Sequence, residues 1–198
     1  MKNKKKTTKH VIGRVYNLIQ RWQLQEYLKT GKTPEVHGII FSNEGAKGRP
    51  PLFDASKSQT GGIRAYWEDE SKGWICISAP EPGYEIKAPK SLRYYFSKQE
   101  VYNSKRKLVQ CVTYLDVSHL NVSKTTDFKS CFEAYGYSEA DDVAELKGLE
   151  TWNVKSGSIF RNFFTDAFPF NKTIELDLSS WKFRNDGIVD LFGFFWNF

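Results

Sequence analysis

Three histidines, His10, His37 and His119, are the first residues whose type could support acid–base or metal chemistry. None has a Cys, Asp or Glu at metal-ligand spacing on a shared element. His119 stands two residues before Asn121, in a segment that reads as a turn, where a solvated side chain is expected. Adjacent carboxylates occur at Asp141-Asp142 and at Glu68-Asp69-Glu70. Both runs fall in segments that read as loops, so water is their expected partner. The three cysteines, Cys76, Cys111 and Cys131, form no CxxC pair, and an odd count does not build a disulfide framework. Each has apolar neighbours and reads as a small buried hydrophobe in a reducing setting. Gly45-Ala46-Lys47-Gly48 lacks the strand–loop–helix context and the Lys-Ser/Thr ending of a phosphate loop. No GxSxG, HExxH or catalytic-cysteine signature is present. The sequence therefore points away from an enzyme and implies no catalytic residue, metal or cofactor.

Residues suited to binding lie at the two ends. The net charge of +6 is uneven. Residues 1–49 hold 11 Lys/Arg against 3 Asp/Glu, giving +8, while residues 100–198 hold 11 against 14, giving −3. Lys4, Lys5, Lys6, Lys9, Arg14 and Arg21 could track a phosphate backbone or an acidic protein surface. Nucleic-acid binding through this segment is the alternative to protein binding. The chain closes on Phe192, Phe194, Phe195, Trp196 and Phe198. The simpler expectation is that the last turns fold back over these rings. The other is that Phe194, Phe195, Trp196 and Phe198 form an interface with a protein partner or a second copy.

Several elements could position these groups. Over residues 11–28, Val11, Ile12, Val15, Tyr16, Leu18, Ile19 and Trp22 recur at three and four, which predicts an N-terminal amphipathic helix. Residues 36–41 read as a strand and 43–62 as an irregular connection. Residues 63–67 and 74–77 read as a hairpin and 84–86 as a further strand. Leu92, Tyr94, Tyr95 and Phe96 form an aromatic cluster. The start, MKNKKKTTK, is followed by a stretch interrupted at Arg14, Asn17, Gln20 and Arg21, so no secretion signal is read. No stretch approaches the roughly 20 apolar residues of a membrane span. A cytoplasmic protein with no membrane partner is expected.

The last third repeats itself. Residues 115–132, 148–164 and 176–195 align on the anchors Leu120, Trp152 and Trp181. An apolar residue precedes each anchor by three positions: Val117, Leu149 or Leu178. Eight positions after it stands Phe128, Phe160 or Val189, and eleven after it Cys131, Phe163 or Phe192. The third unit drifts, as an insertion of one or two residues would cause. Each unit reads as a short strand, a turn and a helical turn begun at Ser123, Ser156 or Asn185. One unit cannot bury its apolar face, but stacked units can. The predicted fold class is α/β: a three-unit leucine-rich-repeat-like solenoid preceded by a small β-hairpin region and the amphipathic helix. Residues 1–60 form the N-terminal part and 61–198 the leader and repeats.

Leu176 to Trp181 (LDLSSW) and the leader ending in Tyr94-Tyr95-Phe96 resemble the BspA-like leucine-rich-repeat family, the mycoplasma-type surface-protein repeat. That resemblance implies a solenoid that binds proteins and has no active site. Members of that family are commonly secreted or lipid-anchored and carry longer arrays. A short version without a signal suggests use by a phage or mobile element to inhibit a host nuclease or defence complex.

Overall fold

Two apolar runs, VHGIIF and WICIS, are hydrophobic at nearly every position, the pattern of strands covered on both faces. They form β2 (Gly38–Phe41) and β5 (Trp74–Ser78), paired in parallel from Gly38↔Trp74 to Phe41↔Ile77. The computed structural model describes residues 15–20, 23, 24, 26, 27, 36–97, 112–136, 144–168 and 175–197, with backbone alone at Val15 and Tyr16. Outside β5, β4 (Arg64–Asp69) and then β3 (Phe53–Asp54) add antiparallel. Asp69 organises the β4–β5 turn: its Oδ1 accepts the N–H groups of Ser71 and Lys72. On the other side of β2, β7 (Tyr114–Asp116) and β9 (Glu145–Lys147) join in parallel. The result is a mixed six-stranded sheet in the order β3-β4-β5-β2-β7-β9. A second, parallel sheet runs β1 (Val15–Asn17), β6 (Glu85–Lys87), β8 (Leu120–Asn121).

This β-dominated architecture corrects the expected α/β class and its N-terminal amphipathic helix. Residues 15–17 are a strand paired with β6 in the register Val15↔Glu85 to Asn17↔Lys87. Among the described residues, α-helical backbone occurs only at Gln23, Leu24, Glu26 and Tyr27. The physical reason is tertiary: strand β6 has an edge to fill. Pairing there buries Leu18 and Ile19 completely, although a helix would have placed them as neighbours on one stripe. The Tyr95 hydroxyl then donates to the Ile19 carbonyl at 2.8 Å, fixing the segment to the core.

Beyond the sheets the chain passes four times through the same place. Ser91, Asp127, Ile159 and Asp190 are bridged in parallel, so four coils stack where three units are expected, and the leader's Leu92–Phe96 opens the series. Side chains at equal positions form columns. Phe96, Phe132, Phe164 and Phe195 lie ring on ring, with successive centroids 5.3, 5.5 and 5.6 Å apart. Phe128 stacks on Phe160 at 4.7 Å and Phe163 on Phe194 at 5.1 Å. The anchors stack too, Trp152 on Trp181 at 6.3 Å. Each indole N–H crosses to the coil before it: Trp152 Nε1 donates to the Val117 carbonyl, and Trp181 Nε1 to that of Leu149. In the fourth coil the bridge at Asp190 places Leu191 and Phe194 where the spacing put Val189 and Phe192, so the insertion is two residues long.

The helical turn expected after each anchor is replaced by a ribbon of overlapping turns. The N–H groups of Cys131, Glu133 and Tyr135 donate three residues back, to Phe128, Ser130 and Phe132. Those of Phe128, Ser130, Phe132 and Ala134 leave the coil and reach the carbonyls of Ile159, Arg161, Phe163 and Thr165 at 2.7–2.9 Å. A helix would direct its N–H groups along its own axis, four residues back, instead of across to the next coil. Positive φ at Ser130 (53°) and Ala134 (52°), repeated at Asn162 and Asp166, lets alternate groups turn outward. The expected helix-starting side chains do other work. Ser156 Oγ donates to the Ser123 carbonyl of the coil before it, while Asn121 and Asn153 accept the N–H groups of Ser123 and Lys155. Asn185 is exposed.

Candidate functional site

The columns stop at the fourth coil, and there the rings change environment. Phe194 packs against the core, stacked on Phe163, and Trp181 is 9% exposed. The flanking residues face outward: Ile188 is 88%, Leu191 44%, Phe192 62%, Phe195 49% and Trp196 55% exposed. Together with Phe183 these are the exposed large hydrophobic residues among those described, and all belong to this one coil. The expected fold-back over the rings is therefore not seen within residues 175–197.

The polar groups around the patch are engaged. Arg161 Nε donates to Asp190 Oδ2 at 3.0 Å, and its guanidinium lies 5.5 Å from the Phe192 ring centroid. Arg184 Nε bonds Asp186 Oδ1, which holds that carboxyl below its ordinary range. Asp177 is likewise lowered by accepting from Ser179. Residues 175–197 carry Lys182 and Arg184 against Glu175, Asp177, Asp186 and Asp190, a local charge of −2.

Of the residues picked out by sequence, Phe194, Phe195 and Trp196 meet in this coil, but Phe194 serves the core while Phe195 and Trp196 face outward. Ile188, Leu191 and Phe192 join the patch once the two-residue insertion sets the register. Lys4, Lys5, Lys6, Lys9, Arg14, Arg21 and Phe198 lie outside the described residues.

Elsewhere the carboxylates and thiols suited to chemistry that are described are occupied or enclosed. Glu68 and Asp69 end strand β4 instead of a loop; Glu68 pairs with Arg49, and Asp69 caps the turn after it. Asp141 and Asp142 are outside the described residues. Cys76 and Cys131 are buried, and burial pushes both thiols up, away from the nucleophilic thiolate. His119 is exposed and lines an open polar cleft of ≈ 580 Å³ with Tyr84, Glu85, Asn121, Ser123 and Asn153. Glu85 there accepts from the Asn121 amide. No three His, Cys, Asp or Glu side chains converge as metal ligands among the described residues. Nor, among them, is any helix long and apolar enough to cross a membrane. No protein-family model matches this chain, and comparison with curated proteins and with solved structures gives no significant match.

Proposed function

We propose that the protein is a non-catalytic binding module that acts in the cytoplasm by engaging another protein through the open end of its fourth coil. The observation that carries this reading is the exposure of Ile188, Leu191, Phe192, Phe195 and Trp196 within the single last coil, where Phe192 and Trp196 also touch ring to ring at 6.1 Å. Contiguous exposed apolar surface of this kind marks interaction sites, and Trp and Phe are favoured where an interface is fully desolvated. The binding role implied by the BspA-like resemblance agrees with it. Residues 175–197 do not favour nucleic acid, because Glu175, Asp177, Asp186 and Asp190 outnumber Lys182 and Arg184 there. That alternative rests on the basic residues before position 22.

The test is capture from a lysate of the producing cells, with and without nuclease, using the wild-type chain and a Phe192→Ser/Trp196→Ser double variant. Both side chains are more than half exposed, so the variant should melt close to wild type. The expected result is one stoichiometric protein that withstands nuclease and salt and is lost with the double variant. Recovery abolished by nuclease would establish the other reading.

A further inference from the structure

The open end has a hydrogen-bonding polarity as well as an apolar surface, and this narrows what can dock there. Between coils the ribbon bonds run one way. Phe160, Asn162, Phe164 and Asp166 donate to the carbonyls of Asp190, Phe192, Phe194 and Trp196 at 2.8–3.0 Å. The carbonyls of Leu191 and Gly193 are taken within the coil by the N–H groups of Phe194 and Trp196. By position, Leu191, Gly193 and Asn197 correspond to Phe160, Asn162 and Asp166, three of the four residues that donate to the next coil. Their own N–H groups meet no acceptor among the described residues. Positive φ at Gly193 (65°) and Asn197 (51°) repeats the values at Asn162 and Asp166, so the donors are held in the same outward geometry. The outer edge of the stack thus presents donors at Leu191, Gly193 and Asn197, while the carbonyls from Asp190 to Phe194 are turned inward.

Resting on the protein-binding reading above, we infer that this edge takes a partner polypeptide presenting backbone carbonyls in a row, the edge that each of these coils shows to the coil before it. Three alternatives fit less well. A second copy docked about a two-fold axis on the same edge would set N–H against N–H and bury donors without acceptors. An ordinary β-strand edge alternates donors with acceptors and would leave its own N–H groups unanswered. A strongly acidic segment supplies acceptors but meets Asp177, Asp186 and Asp190 of the same coil. Neutral carbonyls satisfy the donors without that repulsion, and the rings of Phe192, Phe195 and Trp196 flank the row to exclude water from it.

Residue-resolved hydrogen exchange on the captured complex tests this, alongside sedimentation of the isolated chain. The isolated chain should be monomeric at about 0.1 mM, where weak self-association would show. In the complex the amides of Leu191 and Gly193 should slow by roughly tenfold or more. A complex that needs Phe192 and Trp196 yet leaves those two amides unprotected overturns the carbonyl-edge inference and leaves the binding reading standing. A symmetric dimer that protects them overturns it as well. Failure to find any protein whose capture depends on Phe192 and Trp196 removes both.

Discussion

Gly148 offers the sharpest test of the coil stack. The ladder register pairs Leu115 with Leu146, an offset of 31, whereas the anchors Leu120 and Trp152 are 32 apart, so the later coil holds one extra residue between strand and anchor. Gly148 absorbs it, at φ +91° and pressed against the neighbouring turn: a Cβ there would stand 2.2 Å from the Ser118 backbone nitrogen and 2.5 Å from its Cα. Gly148→Ala therefore carries two costs. The left-handed backbone costs about 1–2 kcal/mol. Forcing the two coils apart adds about 1–3 kcal/mol, as overpacking does, because the atoms met are backbone and cannot swing aside. Gly83 separates these costs, having φ +83° and nothing within 4 Å of its would-be Cβ. Gly83→Ala should lose about 1 kcal/mol or slightly more, and Gly148→Ala about 2–5 kcal/mol. At roughly 2–4 °C per kcal/mol for a chain of this size, the melting temperatures should differ by about 2–12 °C. Thermal unfolding followed by circular dichroism reads the difference. Exchange at Val117, whose N–H donates to Lys147, should accelerate in Gly148→Ala alone. Equal destabilisation of the two variants would refute the close approach of these coils.

Other expectations follow from the same packing. Phe132 is fully buried and lies between Phe96 and Phe164 in the ring column, so Phe132→Ala should cost about 3–5 kcal/mol in a denaturant titration. Trp152→Phe keeps a ring but deletes the indole donor to Val117, and should cost about 1–2 kcal/mol; no loss would mean that this cross-coil bond contributes nothing. Burial raises Tyr95 and Cys131 above their ordinary values of 10.0 and 9.0. Each folded-state value then exceeds the unfolded one, so the fold binds more protons above the unfolded value. Their stabilisation is complete below about pH 9 and lost as pH rises beyond it. The denaturation midpoint should be level from pH 7 to 8 and fall above about pH 9, with part of that fall removed in Tyr95→Phe.

The repeat was legible because column packing imposes itself on side chains. A ring that stacks on the ring below must recur once per coil, and the alignments of Phe128 with Phe160 and of Trp152 with Trp181 follow from that demand. The backbone that carries the rings was not legible. Phe128, Cys131 and Phe132 recur at three and four because overlapping turns advance at nearly the rate of a helix, so spacing alone cannot separate the two. The residues that decide it, at positive φ, include Ser130 and Ala134, whose types do not announce the conformation, whereas Gly136 and Gly193 do. Val15, Leu18 and Ile19 misled for a related reason: neighbouring apolar residues at the end of a short strand give the same spacing, and the edge of β6 that selects the strand is 70 residues away in sequence.

The site depends on register more than on composition. An aromatic end is plain from the sequence, but which rings face outward turns on a two-residue insertion. Counting without it assigns Phe192 to the core column eleven after Trp181 and leaves Phe194 as a binding residue. The bridge at Asp190 exchanges them: Phe192 is 62% exposed and Phe194 stacks on Phe163 at 5.1 Å. The same shift brings Gly193 into line with Asn162, so that the coil closes on a glycine-supported turn and points its donors outward. Two residues thus fix both halves of the proposed interface, the apolar surface and the polarity of the edge beside it.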